Sequence, residues 1–224
     1  MSSTFDEPIE AARPRAARWT GNAPTLLVLV LLLLPLPAWL FPGSVATAQL
    51  ERECMFWIMT AALVGWIHFA ERRSLRSIGL RRPDRASLVW GVIGTAITIG
   101  GLAFIYLAIF PAIGETESNT QLGTFRARPF GLRAAMVLRA ALFEEFFYRG
   151  FMIERLADIT GFWWLAALIS LAAFTLGHLA GWGFGHLLVA GFGGSVLTIL
   201  YLWRRDLSAT IVAHFLTDGI GLLL

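Results

Sequence analysis

The sequence predicts an all-α, polytopic membrane protein: one bundle of about seven transmembrane helices, with room for an eighth. Three observations predict it. Hydrophobic residues make up 57% of the 224 residues and charged ones only 15%, against about 25% charged in soluble domains. Long apolar runs recur along the chain, separated by short polar connections. The basic residues, 18 arginines and no lysine, cluster in those connections, as expected of positive-inside loops.

A pI near 9.7 invites a nucleic-acid reading. The arginine positions argue against it, because no separate basic domain carries the charge. One cysteine, Cys54, rules out an intrachain disulfide and a cysteine-built metal cage.

The elements follow in order. Residues 1–22 are polar, carry Arg13, Arg15 and Arg18, and read as a flexible cytoplasmic tail. Residues 23–224 read as a single transmembrane domain with its core at about 130–220. Residues 26–41 are the first apolar segment, shortened by Pro35 and Pro37. A signal peptide cleaved in the small-residue run 45–48 is the competing reading there, disfavoured by the membrane segments that follow. Residues 55–70 are the second segment, with His68 at an interface. Residues 71–85 carry six arginines and form a solvated loop that can meet anionic lipid. Residues 88–110 are the third segment, in which Gly91, Gly94, Gly100 and Gly101 allow close helix packing.

Residues 112–129 are a polar, non-cytoplasmic connection with space for a hidden half-helix. The remaining segments are 131–156, 162–179, 184–203 and 207–224. With the amino terminus inside, 12 arginines fall on cytoplasmic connections, and Arg52, Arg126 and Arg128 fall outside. The expected setting is the plasma membrane, with membrane lipid as one partner and nucleic acid as none.

The fourth segment holds the chemistry. Glu144, Glu145 and Arg149 sit in an aromatic, apolar run. Each charge at the centre of a membrane helix costs about 2.5–3.5 kcal/mol, and such residues mark functional sites by default. Glu145 and Arg149 are four apart and share a helix face, so they can pair. Glu144 is turned about 100° away and stays free to react.

His178 and His214 are the other polar groups deep in apolar helices. Phe174 lies one turn before His178, and Asp218 lies one turn after His214, placed to orient its imidazole. The economical reading is one site. Glu144 and His178 activate a water, His214 stabilises the oxyanion, and no covalent intermediate forms. Counted at 1.5 Å per residue from Glu154, Arg205 and Gly161, Glu144 and His214 lie about 15 and 13 Å deep, but His178 about 25 Å. That mismatch is expected to need a tilted helix or a dipping loop.

Other chemistries compete. Ser195 with His214 as base would leave Glu144, Glu145 and Arg149 unexplained. No HExxH helix is present. The residues require no cofactor, although Glu144, Glu145, His178 and His214 would make sensible ligands for a divalent metal. His186, after the Gly-rich turn 181–185, reads as interfacial. A membrane scaffold or immunity protein that keeps the charges for packing and a proton-coupled carrier are the non-protease alternatives.

EEFFYR at 144–149 resembles the EExxxR motif of the CPBP family, also called the Abi or type II CAAX prenyl endopeptidase family. Phe174 and His178 match its FxxxH motif, and His214 and Asp218 its third motif, HxxxN or HxxxD. All three occur in order on successive helices. The resemblance implies an intramembrane glutamate-dependent endopeptidase of about eight membrane helices, acting on a peptide or membrane-protein substrate that is lipidated in the prenyl branch. It implies that Glu144 and His178 activate water, that His214 with residue 218 forms the oxyanion hole, and that Glu145 and Arg149 support them. Residue 218 is Asp here where that branch has Asn. An ionised carboxylate cannot donate a hydrogen bond, so Asp218 is either protonated or orients His214.

Overall fold

A computed structural model describes residues 23–33, 36–41 and 46–224. The tail expected over 1–22 lies outside these residues. Among the described residues the chain is all-helical, without strands. Nine helices are α1 (Ala23–Leu33), α2 (Leu36–Leu40), α3 (Ala46–Gly65), α4 (Arg85–Phe104), α5 (Glu117–Arg126), α6 (Phe130–Glu144), α7 (Trp163–Gly177), α8 (His186–Arg204) and α9 (Leu207–Asp218). Several run on beyond their α-helical part. α3 continues through a π-turn at Trp66–Ala70, and α4 through Ile105–Ile109 and Phe110–Ile113. α6 continues through a π-helix at Glu145–Met152 into Ile153–Thr160, and α9 through Gly219–Leu223. A short turn of helix, Leu179–Trp182, follows α7.

Among the described residues all seven expected segments are helical, but length and composition support four membrane spans there: Thr47–Ala70, Arg85–Ile113, Trp163–Trp182 and His186–Arg204. Pro24–Leu33 and Leu207–Leu223 are apolar but shorter. The α6 run is long enough but carries Arg133, Arg139, Glu144, Glu145 and Arg149. The hidden helix expected within 112–129 is α5, a polar one.

Local chemistry sets the helix ends. Asp84 caps α4 by accepting the Ser87 amide at 2.7 Å, and these hydrogen bonds hold its carboxyl below the ordinary value. Asp206 caps α9 through the Ser208 amide at 3.1 Å. The Ser87 hydroxyl donates to Asp206 at 2.6 Å, joining the two caps. α4 and α9 form the most extensive helix pair, and Gly91 permits it. A Cβ there would lie 2.5 Å from Val212 Cγ1 and 3.2 Å from the Ala209 carbonyl. Gly91→Val is expected to cost about 1–3 kcal/mol by overpacking, read as a lower melting temperature in detergent. An unchanged melt would mean that the pair is not packed this closely.

The connections after α3 and after α8 meet the last turns of the α6 run at one end of the bundle. Arg155 pairs with Glu71 at 2.7 Å, Arg73 with Asp158 at 2.7 Å and Arg205 with Glu154 at 2.8 Å. The Leu207 amide donates to the Gly79 carbonyl at 2.9 Å.

These contacts correct one boundary. The fourth segment does not end at 156. It stays helical to Thr160 and is closed by Gly161 at φ 79°, the left-handed conformation that glycine takes without strain. The depth mismatch between Glu144 and His178 dissolves as a result, whereas His214, still about 13 Å from Arg205 on the same count, no longer agrees with Glu144. Glu144 and His178 each lie seventeen residues from Gly161, one on either side. Two helices leaving that turn side by side bring them to the same level without tilt or a dipping loop.

Candidate active site

The α6 run presents its two glutamates in different directions. From Glu145 to Met152 it is a π-helix, whose i to i+5 hydrogen bonding widens the turn and is frequent at functional sites. Fully buried Phe147 and Phe151 anchor this stretch. The Ser170 hydroxyl of α7 donates to the Tyr148 carbonyl at 2.7 Å.

Glu145 turns into the protein and is fully buried. Its Oε1 accepts from Arg149 Nη1 at 2.8 Å, the pair that the spacing predicts. The guanidinium is itself buried. Nη2 donates to the Gly194 carbonyl at 3.1 Å, and the group lies 4.1 Å from the centre of the Phe174 ring. Such a charge is tolerable in an apolar interior only because each face has a partner. The same Oε1 stands 2.9 Å from His214 Nδ1, so one carboxylate joins the α6 run to α9.

Glu144 faces a cavity of about 230 Å³ lined by Arg139, His178, His186, His214 and Asp218, with apolar walls from Val137, Phe174 and Leu197 among others. Its Oε2 is 3.9 Å from His178 Nε2. It is not unpaired, as the sequence reading holds: its Oε1 lies 3.4 Å from Arg139 Nη1. Arg139 is shared. Its Nε donates to buried Glu53 of α3 at 3.0 Å, and its guanidinium lies 4.4 Å from the Phe56 ring centre. Helix α3 begins at Ala46 rather than at 55, which is how Glu53 enters the bundle.

His178 sits where α7 ends. The Phe174 carbonyl is 2.8 Å from its Nδ1. A carbonyl only accepts, so Nδ1 carries the hydrogen and, in the neutral ring, Nε2 presents a lone pair toward Glu144. His214 is held at both nitrogens, by Glu145 at Nδ1 and by Asp218 Oδ2 at 3.4 Å from Nε2. A carboxylate beside each nitrogen favours a hydrogen on both.

The expected site residues therefore fall into two joined groups: Glu144 with His178, and Glu145 with Arg149, His214 and Asp218. The metal arrangement does not fit. Among the described residues no three His, Cys, Asp or Glu side chains gather as a metal-binding group, because the two glutamates face different partners. The serine alternative fails on geometry as well. The Ser195 hydroxyl donates back to the Gly191 carbonyl at 2.6 Å, and Gly193 and Gly194 line the cavity there. His68 is exposed, edge-on to Phe69.

Sequence reasoning missed three residues of this site. Arg139 and Glu53 were visible as charges near or within apolar helices, each in need of a partner. His186, the first residue of a candidate membrane span, also stands in the cavity wall. Its ring stacks on Trp182 at 4.5 Å and lies 5.8 Å from that of His178.

Comparison with known proteins selects the same part of the chain. No curated protein and no solved structure matches it. Residues 127–220 match the family model described as type II CAAX prenyl endopeptidase, Rce1-like. The matched stretch opens just before α6 and closes just after Asp218, so all three motifs lie inside it, while Glu53 lies outside. By that match, residues 127–220 are similar to the Rce1-like type II CAAX prenyl endopeptidases.

Proposed function

We propose that the protein is an intramembrane endopeptidase in which Glu144 and His178 activate a water for attack on a peptide carbonyl. One observation carries this reading: Glu144 Oε2 and His178 Nε2 face one cavity 3.9 Å apart. That gap is too long for a direct hydrogen bond and suits a shared water. An oxygen about 2.8 Å from each would see them at roughly 90°, donating a hydrogen to each and keeping its lone pairs for the substrate.

In the attack, the water oxygen bonds to the carbonyl carbon. Its proton passes to the Glu144–His178 pair, and the carbonyl electrons move onto oxygen. Collapse of that oxyanion breaks the C–N bond, and the leaving nitrogen takes the proton back. Arg139 holds Glu144 from the side away from His178. Glu145 and Arg149 hold His214 against the cavity. The substrate class is a peptide or membrane protein, lipidated at a carboxy-terminal CAAX sequence as the family description suggests. The end of the bundle bearing Arg72 to Arg85, Arg155, Arg204 and Arg205 faces the cytoplasm, as the positive-inside bias favours. With the amino terminus on that side, all seven helical segments cross or enter the plasma membrane.

The test is a comparison of newly formed peptide termini in membranes from cells expressing wild type or Glu144→Gln at equal levels. A set of termini that vanishes with the substitution is expected. Identical sets, together with intact biological function of the variant, would move the protein to the scaffold class.

A further inference from the structure

The donors around the cavity do not complete an oxyanion site in the way that the motif residues suggest. An oxyanion is stabilised by hydrogen-bond donors aimed at it. His214 has a carboxylate at each ring nitrogen. Asp218, when ionised, only accepts, and its charge would oppose a negative oxygen beside it. Arg139 is committed to Glu53 and Glu144. The Thr98 hydroxyl donates to the Gly94 carbonyl at 2.8 Å.

Thr217 Oγ1 is buried in the same wall without a hydrogen-bond partner, and so is one nitrogen of His186. His186 is more than nine-tenths buried, and its Nδ1 has no hydrogen-bond partner among the described residues. A buried ring nitrogen left without a partner costs free energy unless something else uses it. Its position is fixed rather than casual. The ring lies nearly parallel to the Trp182 indole, at 15°, and its centre is 5.8 Å from that of His178. It enters at the start of α8, just after Gly183, whose φ of 82° turns the chain back toward the cavity.

We infer that His186 supplies an N–H hydrogen bond to the oxyanion, doing here what Asp218 cannot. The inference rests on the hydrolytic reading of the Glu144–His178 pair. His186 transfers no proton. It donates a hydrogen bond to the carbonyl oxygen as negative charge develops, from the wall beside the attacking water. Asp218 keeps its place by orienting His214.

The experiment is a double-mutant cycle in purified, detergent-solubilised protein. The probe is a farnesylated fluorogenic CAAX peptide or, if wild type does not cleave it, a peptide spanning a cleavage site found by the Glu144-dependent termini. His186→Phe keeps a flat ring on Trp182 and removes the donor. It is expected to lower kcat about 100-fold, the usual size for one oxyanion donor, with KM nearly unchanged and an unshifted melting temperature. His186→Gln, which retains an N–H, is expected to keep more activity than His186→Phe. In an Asp218→Asn background, where an amide supplies a donor, the loss caused by His186→Phe should shrink to under about tenfold.

Wild-type kcat in His186→Phe overturns the inference, and so does an equal loss in both backgrounds. If His186→Phe lowers the melting temperature, the Gln variant decides: activity no better than that of the Phe variant means that the ring is structural. Glu144→Gln in the same assay separates the two claims. If it remains active, the water-activating reading fails. If it is dead while His186→Phe is fully active, only the role of His186 fails.

Discussion

Glu144→Gln is expected to lower kcat by about 10³-fold, within the range that general-base groups contribute, while leaving the protein folded. The two halves of this result have separate causes. Glutamine has the shape of glutamate and still offers an oxygen to Arg139, so the contact at 3.4 Å persists in weaker form. Arg139 also keeps Glu53 at 3.0 Å, so no buried cation is stranded. What glutamine cannot do is take a proton from water. The measurement is single-turnover cleavage beside a thermal melt of the same preparation. Turnover at the wild-type rate would remove Glu144 from the chemistry. A collapsed melt would show that its charge is needed for the fold.

Contacts within one helix were legible in the sequence. Glu145 with Arg149 and His214 with Asp218 are both four apart, and helical spacing alone brings each pair together. Contacts between helices were not. Arg139 meets Glu53 across 86 positions, and nothing in the local pattern around either residue names the other. The π-helix at Glu145–Met152 was equally hidden. It depends on Phe147 and Phe151 finding buried sites and on Ser170 reaching the Tyr148 carbonyl.

The charged stretch around Leu156 illustrates how polarity misleads. Glu154, Arg155 and Asp158 suggest that the helix has left the apolar core and ended. Each of the three instead has a partner from another element: Tyr201 and Arg205 for Glu154, Glu71 for Arg155, Arg73 for Asp158. Polar residues that pair along one face keep the helix running to Gly161. The depth comparison of Glu144 with His178 was wrong because it was built on the earlier endpoint. The place of His186 in the cavity wall was hidden by a similar limit: Trp182 and His178 become its neighbours only when the chain turns back at Gly183.

Arg149→Met is expected to destabilise the protein by about 3–5 kcal/mol, the cost of leaving one buried charge without its partner. Glu145 is fully buried, and its carboxylate would then depend on His214. The loss of the Nη2 bond to the Gly194 carbonyl and of the contact over Phe174 adds to that cost. If the charges themselves are responsible, Glu145→Gln combined with Arg149→Met should be the more stable protein of the two, because no unpaired ion is left inside. Thermal melts of the single and double variants in one detergent measure this difference.

Activity should not follow stability. Glu145 Oε1 also holds His214 at 2.9 Å. A neutral amide there can bind the imidazole but no longer favours a hydrogen on both of its nitrogens. The double variant is therefore expected to regain much of the melting temperature and little of the kcat. Equal melting temperatures in the single and double variants would show that the ion pair is not a unit. His214 alone would then be balancing the Glu145 carboxylate, and the Glu145–His214 contact, rather than the Glu145–Arg149 pair, would be what keeps the two motif helices together.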